Sequence, residues 1–177
     1  MTDAQPVITV RAAVAADIDA LEHIGVESFT ATYGDTTPPR DMAAHLDANF
    51  TADALRYAME NTSCHFLLAS VDAKPAGFVK LRDENRPVEI PASNVLEIQL
   101  LYILPTFQRM GLGDRLVTAA ADLGKETAVQ GLWLSAWEHA DWAINFYRKV
   151  GFCEVGTQEF RIGQTVFTDL LLWLPSD

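Results

Sequence analysis

Hydrophobic positions change period several times along the chain, and each change marks an element. Val7 to Arg11 alternates and predicts an edge strand. Ile18, Leu21, Ile24 and Phe29 recur near the helical period, with Gly34 as a stop after Tyr33. Pro38 and Pro39 open a second helical region through Met42, Leu46 and Phe50. It breaks near Thr51, an N-cap residue type followed by Asp53 in the first turn, and continues through Leu55, Tyr57 and Met59. Cys64 to Val71 and Gly77 to Arg82 read as a hairpin with a turn over Asp72 to Pro75. The polar segment Asp83 to Asn94 holds Pro87 and Pro91 and reads as a loop. The apolar run Val95 to Leu104 predicts a central strand stopped by Pro105. Leu112, Leu116, Ala120 and Leu123 mark one face of a helix, Leu132 to Trp137 a strand, and Asp141 to Val150 a helix closed by Gly151. Phe152 to Phe160 and Val166 to Leu174 are strands joined by a turn at Gly163. The order β–α–α–β–β–β–α–β–α–β–β predicts the α/β class. A chain of 177 residues fits one domain, residues 1–177, and is short for two.

The stretch VLEIQLLYILPTFQRMGLG, Val95 to Gly113, carries the first chemistry. It reads as strand, short loop and helix start. A helix N-terminus leaves its first amides unpaired and partly positive, so it binds phosphate readily. Glycines at 111 and 113 remove Cβ atoms that would hold a pyrophosphate at a distance. Taken alone, the two glycines fit an ordinary strand-to-helix turn equally well.

A second stretch gives the loop its meaning. Ala143, Phe146, Tyr147, Gly151 and Phe152 form A-x-x-F-Y-x-x-x-G-F, and Gln108, Gly111 and Gly113 form Q-x-x-G-x-G one helix and one strand earlier. Together they resemble the GNAT superfamily of N-acetyltransferases. The resemblance covers nearly the whole chain. It implies the GNAT fold, a mixed central sheet with helices on both faces and a splayed central strand pair, and acetyl-CoA as cosubstrate. It implies that the amides of Gln108, Arg109, Met110, Gly111, Leu112 and Gly113, reaching Asp114, hold the pyrophosphate. It also implies that the backbones of Leu101, Tyr102 and Ile103 pair with the pantetheine amides. Arg109 could add a charge-assisted contact or stand free in solvent, and Lys149 has the same two readings.

Two residues are candidates for proton transfer. Glu97 lies eleven residues before Gln108, the offset of the catalytic glutamate in the histone-acetylating branch of the superfamily. A carboxylate in an apolar strand should have a raised pKa, suiting a general base; otherwise it faces solvent or pairs with a neighbouring strand. Tyr147 matches the family tyrosine that protonates the departing thiolate, or is a core aromatic. Ala140 departs from the pattern, since many members have an asparagine there that contacts pantetheine.

Several segments are similar to the PaiA-type polyamine acetyltransferases. These are Glu27-Ser28-Phe29 with Thr32, Leu96-Glu97-Ile98, Tyr102-Ile103, Trp137-Glu138, and Phe160, Gly163 and Thr168-Asp169-Leu170-Leu171. Leu100 departs from that pattern, where relatives carry a basic or amide residue. The resemblance implies spermidine or spermine as acceptor, with Glu27, Asp35, Glu138 and Asp169 as candidate amine contacts or solvated carboxylates. A protein amine, another small amine, and a non-catalytic CoA-binding regulatory module remain as alternatives.

Charge and composition narrow the partners. A formal net charge of −11 argues against nucleic acid, which needs Lys and Arg against its phosphates, and suits a cationic amine or plain solubility. No apolar run approaches a membrane span, and the N-terminus lacks a basic segment followed by an apolar one. Cys64 and Cys153 fall in predicted strands outside any C-x-x-C and read as two buried thiols, which fits the cytoplasm. The four histidines show no ligand spacing, so no metal site is expected. The oligomeric state is open, with a homodimer among the options.

Overall fold

The computed structural model describes residues 5–84 and 86–176. Strand β1 (Ile8–Ala12) leads into helices α1 (Ile18–Tyr33), α2 (Pro39–Asn49) and α3 (Ala52–Glu60). Strands β2 (Cys64–Val71), β3 (Lys74–Arg82) and β4 (Leu96–Ile103) follow, then α4 (Leu112–Glu126), β5 (Gly131–Trp137), α5 (Asp141–Val150), β6 (Cys153–Ile162) and β7 (Thr165–Pro175). The second helical region is thus two helices. They part where Thr51 leaves the helix and its hydroxyl accepts the Ala54 amide at 3.3 Å.

The strands form one sheet in the order β1–β2–β3–β4–β5–β7–β6, antiparallel except between β4 and β5. Helices cover both faces. On one, Leu112, Leu116, Val117 and Ala120 of α4 pack with Val79, Leu81, Leu96, Ile98, Leu132 and Leu134. On the other, Ile18, Leu21 and Ile24 of α1 and Leu55 of α3 pack on Phe66, Leu68 and Phe78.

Three details depart from the pattern reading. The hairpin turn is two residues, Asp72 and Ala73, both left-handed at φ 48° and 62°, so Lys74 and Pro75 belong to β3. Pro75 is tolerated there because the β2–β3 register shifts at Ala69/Ser70. Helix α1 ends without a left-handed glycine, because Gly34 stays right-handed at φ −59°. The cysteines are not both buried: Cys64 is half-buried and Cys153 exposed. Cys153 opens β6, an edge strand with few neighbours to cover it.

Two irregularities in β4 prepare the site. Its pairing with β3 passes from Ile98↔Leu81 to Leu100↔Lys80, leaving Gln99 as a bulge. The bulge reverses the alternation of faces. Leu96 and Ile98, and beyond it Leu101 and Ile103, face α4, while Leu100 and Tyr102 face the α1 side. On its other edge β4 pairs with β5 only at Leu96↔Leu132 and Glu97↔Trp133. Beyond Glu97 the two strands have no shared ladder, and the sheet opens.

Candidate active site

That opening is the base of a cleft of about 1010 Å³. One side is lined by the loop after β4 and the start of α4, the other by α1, Trp137 of β5, Phe160 of β6 and Asp169 of β7.

The loop is shaped to leave amides free. Arg109 and Gly111 are both left-handed, φ 65° and 79°, so the chain curls between β4 and α4. Gln108 fastens the curl, donating from Nε2 to the Ile103 carbonyl at 3.4 Å. The first amide with a helical partner is that of Arg115, which donates to the Gly111 carbonyl. Among the described residues, the amides of positions 109 to 114 donate to no protein acceptor, whereas the Gln108 amide, assigned to the pyrophosphate from sequence, donates to the Pro105 carbonyl at 3.3 Å. A Cβ at Gly111 would meet nothing within 4 Å, so that glycine keeps a space open. Gly113 is different: a Cβ there would lie 2.9 Å from Phe146, so its glycine serves the packing of α4 against α5. Free amides around an open space at a helix start fit a pyrophosphate. Of the residues assigned to the cofactor from sequence, Leu101, Tyr102, Ile103, Gln108, Arg109, Gly111, Leu112, Gly113 and Asp114 line the cleft. Met110 packs its side chain against the α4 core instead, and Lys149 is exposed on α5, outside the cleft lining.

Tyr147 and Glu97 reach the cleft from opposite faces of the sheet. Tyr147 belongs to the core under α4, is 8% exposed, and lines the cleft. Among the described residues its hydroxyl makes no hydrogen bond, and burial holds the phenol well above its ordinary value. Glu97 is 5% exposed and pairs with Arg82 Nε from the neighbouring strand. Burial raises its pKa, while the Arg82 hydrogen bond and charge and the nearby Lys80 pull it down. Ala140 lines the cleft at the N-cap of α5 and supplies no side-chain cap.

The side of the cleft away from the loop is walled by aromatic rings. Tyr33 lies 5.9 Å from Trp137, 5.8 Å from Phe160 and 5.3 Å from Phe167, and Phe29 stacks on His45 at 4.3 Å. Sequence reasoning named none of these as a group, because they come from α1, α2, β5, β6 and β7. The four carboxylates singled out for the amine divide clearly. Glu27, Asp35 and Glu138 are exposed and do not line the cleft, whereas Asp169 lines it. Among the described residues, no group of three or more His, Cys, Asp or Glu side chains could hold a metal ion. No helix among them is long and apolar enough to cross a membrane.

Residues 19–152 match the family model described as "Acetyltransferase (GNAT) family". The chain belongs to this family. It is an acyl-CoA-dependent N-acetyltransferase, with an amine as the general kind of acceptor. It is 33% identical over 156 residues to an uncharacterised N-acetyltransferase of Lactobacillus delbrueckii subsp. lactis from the pepI 3' region, covering 88% of this chain and 90% of that one. Its fold is similar to that of the PaiA N-acetyltransferase from Thermoplasma acidophilum, solved with coenzyme A. That match has a TM-score of 0.78 at 20% identity, over 96% of this chain and 99% of the other. YncA of Salmonella typhimurium, solved with its cofactor acetyl-CoA, superimposes with a TM-score of 0.68 at 18% identity, over 97% and 95% of the two chains.

Proposed function

We propose that this acetyltransferase, acting as one domain, acetylates a cationic amine, a polyamine such as spermidine or spermine. Glu97 acts as base and Tyr147 as acid. The observation that carries the reading is that Glu97, Tyr147 and the free-amide loop share one cleft at the β4–β5 opening. When bound, acetyl-CoA supplies the acetyl thioester. The amides from Arg109 to Asp114 would hold its pyrophosphate, Arg109 would add charge, and the backbone edge of Leu101 to Ile103 left unpaired by β5 would take the pantetheine arm.

Glu97 takes one proton from the acceptor ammonium, leaving the lone pair that forms the new C–N bond. Burial raises its pKa and so makes the carboxylate a better proton acceptor, while the Arg82 partner favours its ionised form. As the C–S bond breaks, the Tyr147 hydroxyl gives its proton to the sulfur, and the second proton shed by the newly acylated nitrogen restores the phenol. A phenol with no protein partner is free to do so. The polyamine reading is supported by the net charge of −11 and by a buried carboxylate within the aromatic wall.

Thiol release with a panel of amines tests the reading. Spermidine and spermine should be the fastest acceptors, with kcat/KM falling as ionic strength rises. A peptide or aminoglycoside preferred by about tenfold, ~1.4 kcal/mol of transition-state discrimination, would overturn the polyamine assignment.

A further inference from the structure

Glu97 is one of two buried carboxylates in the cleft; the other is Asp169, 4% exposed on β7. Ser135 Oγ donates to its Oδ2 at 2.9 Å, and its Oδ1 is buried with no partner. Buried acceptors normally find a donor, and an orphan lining a cleft marks where a ligand's donor belongs. Two more orphans line the same cleft, Ser28 Oγ and Gln99 Oε1. An ammonium brings three N–H donors and no acceptor, which suits such a lining.

The two carboxylates share the α1 face of the sheet. Glu97 lies opposite the α4-facing Leu96 and Ile98, and Asp169 lies opposite the α4-facing Leu172 and Leu174. Glu97 pairs in register with Trp133, and Asp169 with Trp137, four residues further along β5. At strand spacing this is about 13 Å along the strands and, with β5 between β4 and β7, about 10 Å across them. Trp137 and Tyr33, which stand close to each other beside Asp169 in the cleft, offer ring faces to a cation. Burial raises the Tyr33 phenol's pKa first, and the nearby Asp169 and Tyr147 raise it further.

We propose that Asp169, fixed by Ser135 and walled by Trp137 and Tyr33, binds a second, non-reacting ammonium of the acceptor, so that the cleft selects di- and polyamines over monoamines. The proposal rests on Glu97 and Tyr147 marking the reacting end. A reacting nitrogen must shed its proton, which a carboxylate holding it as an ammonium opposes. A distal nitrogen keeps its charge throughout, and a chain with amines at both ends spans the distance between the two carboxylates.

The test is kcat/KM for hexamethylenediamine against n-hexylamine, measured by thiol release in wild type, Asp169→Asn and Ser135→Ala. Asn keeps the shape and the Ser135 contact while removing the charge. The wild-type enzyme should prefer the diamine by about tenfold or more, ~1.4 kcal/mol. Asp169→Asn should bring that preference within about threefold, through the diamine KM rather than kcat, and Ser135→Ala should fall between. Should Asp169→Asn fail to fold, judged by coenzyme A binding in calorimetry, the Ser135→Ala ratio decides. A preference that survives in the folded variants overturns the subsite and leaves the polyamine reading standing. Equal losses for both amines would place Asp169 at the reacting nitrogen and also overturn it. A wild-type enzyme that acetylates neither amine, nor spermidine, fails the polyamine reading itself.

Discussion

The two halves of the cleft are built on different principles. The half proposed for the cofactor is mainly backbone: free amides from 109 to 114, a curl set by left-handed Arg109 and Gly111, and the unpaired edge of β4. The half proposed for the acceptor is side chain: aromatic rings and a buried carboxylate delivered by α1, α2, β5, β6 and β7. A backbone site demands little of its sequence beyond glycines at set positions, so it survives as a short motif. A side-chain site can be rebuilt residue by residue, so one fold can serve many acceptors.

Breaking the cofactor half should have the largest effect. Gly111→Asp forces a side chain onto a left-handed residue and puts a carboxylate into the space the glycine keeps open. Coenzyme A binding should become undetectable by calorimetry in a variant whose circular dichroism is unchanged. Normal affinity would remove the loop from the pyrophosphate site.

The proton-transfer pair comes next, since general acid–base assistance is worth roughly 100- to 10,000-fold. Glu97→Gln should lower kcat by about that range and abolish the acid limb of the pH profile. The sign follows from the role: a base works ionised, so activity rises with pH through the Glu97 pKa, which burial raises above the ordinary carboxylate value. An unchanged acid limb would return Glu97 to a structural partner of Arg82. Tyr147→Phe keeps the ring in its contacts with Phe146 and Phe152 and removes the hydroxyl. Turnover should drop on the order of 100-fold with coenzyme A affinity nearly unchanged, because the thiolate charge develops only during reaction. Lost stability with full turnover per folded molecule would make Tyr147 a packing residue only.

The acceptor half sharpens the comparison with smaller effects. Trp137→Leu removes a ring face and should raise the polyamine KM by about two- to thirtyfold, the range of a cation–π contact, without changing coenzyme A binding. Equal changes in both would mean the halves are not separable.

The smallest effect is on stability. Burial raises the Asp169 pKa, so the folded state holds its proton at a higher pH than the unfolded chain does. Stability on this account falls as pH rises from the unfolded pKa through the folded one. Asp169→Asn should therefore raise Tm above the folded pKa and change it little near pH 3. A destabilised variant at pH 8 would show that the Ser135 hydrogen bond to the carboxylate outweighs the cost of its burial.

The sequence by itself determined the elements, their order and the cofactor motif. Period 2, period 3.6 and the breaks at Thr51, Pro105 and Gly151 act over a few residues, and so does the helix start at Gly111. Only the tertiary structure decided the rest. It showed that Gly113 is a glycine because Phe146 packs over it, and that Glu97 meets Arg82 because β3 lies alongside. It brought Tyr147 and Glu97 to one cleft through the opening between β4 and β5, and of four candidate carboxylates it set only Asp169 in that cleft's lining. These are contacts between residues tens of positions apart. Strand order, the Gln99 bulge and burial set them, and no local pattern in the chain encodes them.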